Sequence, residues 1–208
     1  GRRLGGATPL ICSPLVGRTR DAILAEAATV VAKQPDVIEW RVDFFGGIGD
    51  TAAVLDTGRA LRAAVGDAPI IFTRRSIREG GEPIAIGDEE VVALYDAVGA
   101  SGLVDFLDFE MGNDGDQVRR VRDGARTHGT RVILSYHNFE STPGIDFLVG
   151  RFVEAERLGA DVAKVAVMPR DPDDVLALLA ATSRAEAQAQ IPLISMSMGP
   201  LGAVTRMI

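Results

Sequence analysis

Seven short apolar runs recur along the chain, at Leu10–Val16, Val37–Phe44, Pro69–Arg75, Phe106–Glu110, Arg131–His137, Val162–Met168 and Pro192–Met198. Each has the length of a strand. Several are apolar almost without a break, as a strand covered on both faces requires. The stretches between them carry helical spacing. Ile23, Ala27 and Val30 fall at i, i+4 and i+7 behind a capping Thr19, and Val91, Leu94 and Val98 follow Asp88 in the same way. Asp171-Pro172 opens a helix as an N-cap with proline at the first helical position, and His128-Gly129 closes one. Seven strand–helix units in alternation predict an α/β protein with a parallel sheet and right-handed crossovers.

Such a sheet either stays open and doubly wound or closes into a barrel. No G-x-G-x-x-G follows the first strand, which removes the main sign of a dinucleotide fold. The polar residues inside the strands favour closure. Along the second strand, Ile38, Trp40, Val42 and Phe44 fall on one face and Glu39, Arg41 and Asp43 on the other. Along the fifth, Val132, Leu134 and Tyr136 oppose Ser135 and His137; along the sixth, Ala163, Val165 and Val167 oppose Lys164 and Ala166. Buried charge has to be paired or used. Several strands turning charge toward one axis is what a barrel active site needs. The expectation is a (β/α)8 TIM barrel forming a single domain over 1–208. A complete barrel takes roughly 250 residues, so these 208 residues are expected to lack the eighth strand and helix. A partner, a gap-filling contact or more chain would then cover the seam.

Composition narrows the function. The net charge of −7 gives no basis for binding nucleic acid or an anionic membrane, although local arginines can still hold a small anion. No apolar stretch reaches the ~18 residues of a transmembrane helix, and Gly1–Gly6 lacks the apolar core of a signal peptide. The one cysteine, Cys12, excludes an internal disulfide and, lying in an apolar run, is expected to be buried and inert.

Lys164 is the first candidate for chemistry, because an amine in an apolar strand loses hydration and is driven toward its neutral, nucleophilic form. The alternative is a lysine that snorkels out or pairs with an internal acid such as Glu39 or Asp108. His137 ends the fifth strand, at the rim where barrel sites form, and suits proton transfer near neutrality; otherwise it is a strand-end histidine bonded to a loop carbonyl. His128 reads as surface capping. Arg74-Arg75 ends the third strand and enters Ser76–Glu82, where adjacent glycines allow a tight, mobile loop. Arg75 can bind a carboxylate and Glu79 can orient a base, unless the loop is simply solvated. Arg206 follows Met198-Gly199-Pro200 near an expected helix start, a good place for an anion, or is an exposed arginine. Metal chemistry finds no HExxH, no CxxC and no histidine pair; Asp108, Glu110 and Glu39 are expected to form salt bridges with Arg41 rather than hold Mg²⁺. No cofactor motif is present.

Together these segments resemble the type I 3-dehydroquinate dehydratases. The matching stretches are Val37-Ile-Glu-Trp-Arg-Val-Asp-Phe44, Phe72-Thr-Arg-Arg-Ser76 with Glu79-Gly-Gly-Glu82, Ser101–Asp105, Ser135-Tyr-His-Asn-Phe139, Leu158–Asp161, Lys164-Val-Ala-Val-Met-Pro169 and Met196-Ser-Met-Gly199. They stand in family order over nearly the whole chain. The resemblance implies a cytoplasmic, homodimeric lyase of the shikimate route to aromatic compounds, acting without a cofactor. It implies an imine between Lys164 and the substrate ketone, His137 as acid and base, and Glu79 as the residue that orients it. It implies substrate contacts from Glu39, Arg41 and Arg75, carboxylate binding by Arg206, and an apolar lining from Phe139, Met196 and Met198. The family's lid, with its serine and glutamine contacts, falls beyond Ile208, so through Ile208 alone the site is expected to be open to water and turnover weak.

Two other readings remain. One is a different Schiff-base barrel, such as a class I aldolase or transaldolase, which the lack of a phosphate site disfavours. The other is a catalytically silent barrel that binds a carboxylate metabolite. The Lys164–His137–Glu79 set speaks against it and the missing end speaks for it.

Overall fold

A computed structural model describes residues 4–6 and 8–207. All seven expected strands form, and helices follow each of the first six. The strands are β1 (Cys12–Leu15), β2 (Val37–Arg41), β3 (Ile70–Thr73), β4 (Phe106–Glu110), β5 (Arg131–Asn138), β6 (Val162–Val167) and β7 (Leu193–Ser197). The helices are α1 (Arg20–Val31), α2 (Thr51–Val65), α3 (Asp88–Ala100), α4 (Gly115–His128), α5 (Ile145–Arg157) and α6 (Pro172–Glu186). The fold is α/β with parallel strands, the strand–helix alternation of a (β/α) barrel without an eighth repeat among the described residues. The chain divides into two compact units. One comprises Leu10–Phe109 with Gly115–Val132; the other comprises Gly1–Pro9, Glu110–Asp114 and Ile133–Ile208.

The helix starts follow their caps. Thr19 Oγ1 accepts from the Ala22 N–H at 3.2 Å, and Asp171 Oδ1 accepts from the Asp174 N–H at 3.0 Å with Pro172 at the first helical position. Gly129, at φ 75°, ends α4 as glycine should.

In the Leu10–Phe109 unit, strands β1 to β4 pair in chain order, with Glu39 opposite Ile71, Arg41 opposite Thr73 and Thr73 opposite Asp108. Parallel neighbours in register point the same way. Glu39, Arg41, Thr73 and Asp108 therefore share one face, and Ile38, Trp40, Ile70, Phe72, Leu107 and Phe109 share the other. The apolar face carries an aromatic chain, Phe45–Trp40–Phe72–Tyr95–Phe109, in edge-to-face contacts 5.1–6.2 Å apart. Tyr95 comes from α3, so this is the face that helices cover.

In the other unit Ser135 lies opposite Lys164, His137 opposite Ala166, and Ala166 opposite Met196. Tyr136 packs its ring on Phe147 of α5 at 5.7 Å, so the even positions of β5 face the helix. His137 and Lys164 face away from it.

Three expectations are corrected. The second strand stops at Arg41, and Val42–Phe44 turn as a 3-10 helix closed by the Phe45 N–H on the Val42 carbonyl at 2.9 Å. Cys12 is exposed, because β1 stands at the end of the strand order and buries only Leu15. Arg206 ends a 3-10 helix, Leu201–Arg206, rather than starting a helix, so the argument from N-terminal N–H groups does not apply to it.

Candidate active site

The unit built on β1 to β4 brings Glu39, Arg41, Arg75 and Glu79 to the polar face and its rim. Glu39 accepts from Thr73 Oγ1 at 2.8 Å across the β2–β3 ladder. Arg41 does not pair with Glu39 or Asp108, as the charge pattern suggested. The 3-10 turn brings Asp43 back beside it, and the carboxylate takes Nε at 2.8 Å and Nη2 at 2.7 Å in a two-pronged fork. Burial alone would pull the Arg41 guanidinium down; the hydrogen bond and charge of Asp43, with the charge of Glu39, outweigh it and raise it above its ordinary value. The Phe44 ring lies under the same guanidinium at 5.0 Å.

Arg75 is buried, with 3% of its surface exposed, and its charge meets two acids. Nη2 donates to Asp108 Oδ1 at 2.8 Å, and Nη1 lies 3.6 Å from Glu79 Oε2. A buried cation is tolerated only with such partners. Glu79 is itself 8% exposed, so its carboxylate is turned in from a segment whose Ile77 is exposed. Residues Ile77–Glu79 form a 3-10 turn and Gly80 follows at φ 80°. The Glu79 and Gly81 N–H groups both donate to the Ser76 carbonyl, at 3.0 and 2.8 Å. A Cβ on Gly81 would stand 2.0 Å from the Arg75 carbonyl oxygen, so glycine is required for the fold-back. Behind the strand, Tyr95 donates its hydroxyl hydrogen to the Asp108 carbonyl at 2.6 Å and accepts the Arg74 N–H at 2.8 Å.

The other unit supplies the nucleophile and base candidates. Lys164, 9% exposed, sits in β6 between buried Ala163 and Val165. His137 lies one residue pair further along the neighbouring strand on the same face, a backbone separation of roughly 8 Å from ordinary sheet spacings. Both side chains can reach one small molecule. Asn138 shapes the exit from β5: its Oδ1 accepts from the Glu140 and Ser141 N–H groups at 2.9 and 3.0 Å. That turn presents Phe139, 46% exposed, with its ring stacked near His137 at 6.5 Å. Met196 shares the Lys164 face, and Met198, 8% exposed, donates its N–H to the Val167 carbonyl at 2.8 Å. Thr205 Oγ1, accepting the Ser197 N–H at 3.1 Å, seats the last 3-10 helix on β7; Arg206 beside it is exposed.

Sequence reasoning singled out the candidate catalytic and substrate-binding residues, but not the Asp43 fork, the Thr73 hydroxyl, the Tyr95 clamp, the Asn138 turn or the Thr205 seat. Asp43 carried a signal, two positions after an inward arginine. Tyr95 carried none, since its place in the α3 pattern is that of any core residue. Among the described residues no group of three or more histidine, cysteine or acidic side chains is arranged to hold a metal ion, and no helix is long and apolar enough to cross a membrane.

The family described as Type I 3-dehydroquinase matches residues 11–208. A curated 3-dehydroquinate dehydratase from Albidiferax ferrireducens is 55% identical over 203 residues, covering 98% of this chain and 77% of the relative. That from Aromatoleum aromaticum is 48% identical, covering 98% and 78%. The crystal structure of 3-dehydroquinate dehydratase from Geobacillus kaustophilus HTA426 superposes with a TM-score of 0.95 at 46% identity, over 97% of this chain and 78% of that one. The type I enzyme from Clostridium difficile, solved with covalent modified comenic acid, superposes with a TM-score of 0.94 at 36% identity, over 97% and 80%.

Proposed function

The chain belongs to the type I 3-dehydroquinase family, and from that premise we propose that it dehydrates 3-dehydroquinate through an imine on Lys164. The dehydration itself is the family's reaction, a step of the shikimate pathway. The observation that carries the imine is the placement of one buried lysine on the same strand face as His137, in neighbouring strands, away from the helices.

The chemistry follows from those two groups. Lys164 is 9% exposed, so its amine is largely shielded from water, and the neutral amine is the nucleophile toward a ketone. Its nitrogen attacks the C3 ketone, and the carbinolamine loses water to give an iminium. The iminium draws electrons from the C2–H bond; His137 takes that proton and an enamine forms. The enamine electrons expel the C1 hydroxyl, which leaves as water with the proton His137 returns. A second water then hydrolyses the imine, freeing 3-dehydroshikimate and the lysine amine. Water gained and lost at the imine cancels, so one water leaves overall. The Clostridium difficile relative, solved with covalent modified comenic acid, supports a site of this kind.

The remaining assignments belong to the same proposal. Glu79 is the carboxylate that keeps His137 competent. Glu39, Arg41 and Arg75 bind substrate oxygens, Arg206 binds the carboxylate, and Phe139, Met196 and Met198 give the substrate apolar surface. The enzyme works as a homodimer in the cytoplasm, without cofactor or metal.

Borohydride trapping tests the imine. The protein is incubated with 3-dehydroquinate and borohydride, digested, and the adduct mapped by mass. The expected result is one adduct on Lys164, absent in Lys164→Ala. His137→Ala should still trap some imine while turnover stalls. An unlabelled Lys164 in folded protein, or full turnover by His137→Ala, would overturn the mechanism.

A further inference from the structure

Asp43 stands apart from the assigned residues, yet Arg41 and both ends of the Arg75–Glu82 loop converge on it. Its side chain is wholly buried and accepts four hydrogen bonds. Two are the fork from Arg41 described above. The third comes from the Arg75 N–H at 3.3 Å and the fourth from the Glu82 N–H at 3.2 Å. Those two amides lie at the two ends of the folded-back loop that carries Glu79. Around it the arrangement is closed by Arg18, whose Nη2 donates to Glu82 Oε2 at 2.8 Å and whose guanidinium covers the Phe44 ring at 5.7 Å. Among the described residues Arg41 Nη1 makes no hydrogen bond, and the side chain keeps 20% of its surface exposed. The guanidinium is thus gripped along one edge, with its other edge left for an oxygen from outside the fold.

We propose that Asp43 is a positioning residue for the dehydration: it fixes Arg41 in the orientation that meets a substrate oxygen and pins both ends of the Arg75–Glu82 loop. The inference rests on the reading of Arg41 as a substrate contact. A carboxylate is needed rather than any polar group. An asparagine at 43 offers one acceptor oxygen and presents an NH2 group to an N–H donor, so one prong of the fork is lost whichever way the amide turns. A lysine at 41 keeps the charge but cannot make two parallel bonds.

The test is a double-mutant cycle, Arg41→Gln, Asp43→Asn and both together, with Arg41→Lys as a second probe that leaves Asp43 intact. KM and kcat for 3-dehydroquinate are measured for each, and the exchange rates of the Arg75 and Glu82 amides for Asp43→Asn. Losing one charge-assisted hydrogen bond is expected to raise KM about tenfold in Asp43→Asn, and Arg41→Lys to do the same. The double variant should then have a KM no higher than Arg41→Gln alone, because the effect of Asp43 on KM runs through Arg41, while its hold on the loop is read by amide exchange. The two amides should exchange faster in Asp43→Asn. A KM that rises with Arg41→Gln but not with Asp43→Asn or Arg41→Lys overturns the positioning role, as do additive effects in the double variant. An unchanged KM in Arg41→Gln removes the premise itself, and the proposal with it. If Asp43→Asn does not fold, Arg41→Lys decides alone.

Discussion

Replacing Tyr95 with phenylalanine removes one oxygen from a fully buried position and little else. The ring contacts with Phe72 at 5.4 Å and Phe109 at 5.1 Å are available to phenylalanine unchanged. What is lost is the clamp: the Arg74 N–H, just past the end of β3, gives up its 2.8 Å acceptor, and the Asp108 carbonyl gives up a 2.6 Å donor. An orphaned buried N–H costs about 1–3 kcal/mol, so the variant should lose about 2 kcal/mol, or roughly 4–8 °C in Tm for a chain of this size. The loss should also depend on pH. Burial pushes the phenol far above its ordinary value of 10.0, with the Asp108 charge adding to it and the Arg74 hydrogen bond partly opposing. Below pH 10 the phenol is neutral folded and unfolded, and the full difference between the two proteins stands. Above it the unfolded chain releases a proton that the folded chain keeps, so wild type loses stability at about 1.4 kcal/mol per pH unit from this group. Phenylalanine has nothing to release. Urea unfolding of both proteins at pH 8 and pH 11 should therefore show the wild-type advantage shrinking by about 1.4 kcal/mol. A phenylalanine variant as stable as wild type at pH 8 would refute the clamp. An advantage that does not shrink at pH 11 would refute the buried phenol.

Three further outcomes are expected. Gly81→Ala drives a methyl group to 2.0 Å from the Arg75 carbonyl, so the loop has to move; at least a tenfold loss of kcat/KM, about 1.4 kcal/mol, should appear with a lowered Tm. Asp171→Ala deletes the α6 cap on the Asp174 N–H and should cost about 1 kcal/mol in urea unfolding while kcat stays unchanged. Arg62 donates to the Leu103, Gly66 and Ala68 carbonyls and to Asp105 Oδ2. Arg62→Lys should be destabilised by about 2 kcal/mol, because one ammonium cannot replace a planar set of donors, with the melting curve as readout.

Strand positions and facing were legible because period-two burial is a strong constraint: a slip by one residue would have turned Lys164 and His137 toward α5. Ends were less so. The second strand reads on through Phe44 by pattern, yet the chain turns after Arg41, since Asp43 gains more from four donors than from continuing the ladder. Cys12 looked buried because apolar neighbours imply a core, but β1 is terminal in the strand order and Ile11 beside it is 63% exposed. Partners of the candidate residues were the least legible part. Which acid meets Arg41 or Arg75 depends on turn geometry and on strands distant in sequence, neither of which periodicity encodes.

The loop that carries Glu79 is secured through main-chain amides, to Asp43 and to the Ser76 carbonyl, and every residue except proline supplies such an amide. One of its outward side chains, Ile77, is 68% exposed. Position 77 is therefore an attachment point for a fluorophore that reports on the loop while leaving its anchors alone. Once the exposed Cys12 is exchanged for serine, a single Ile77→Cys change gives a uniquely labelled protein.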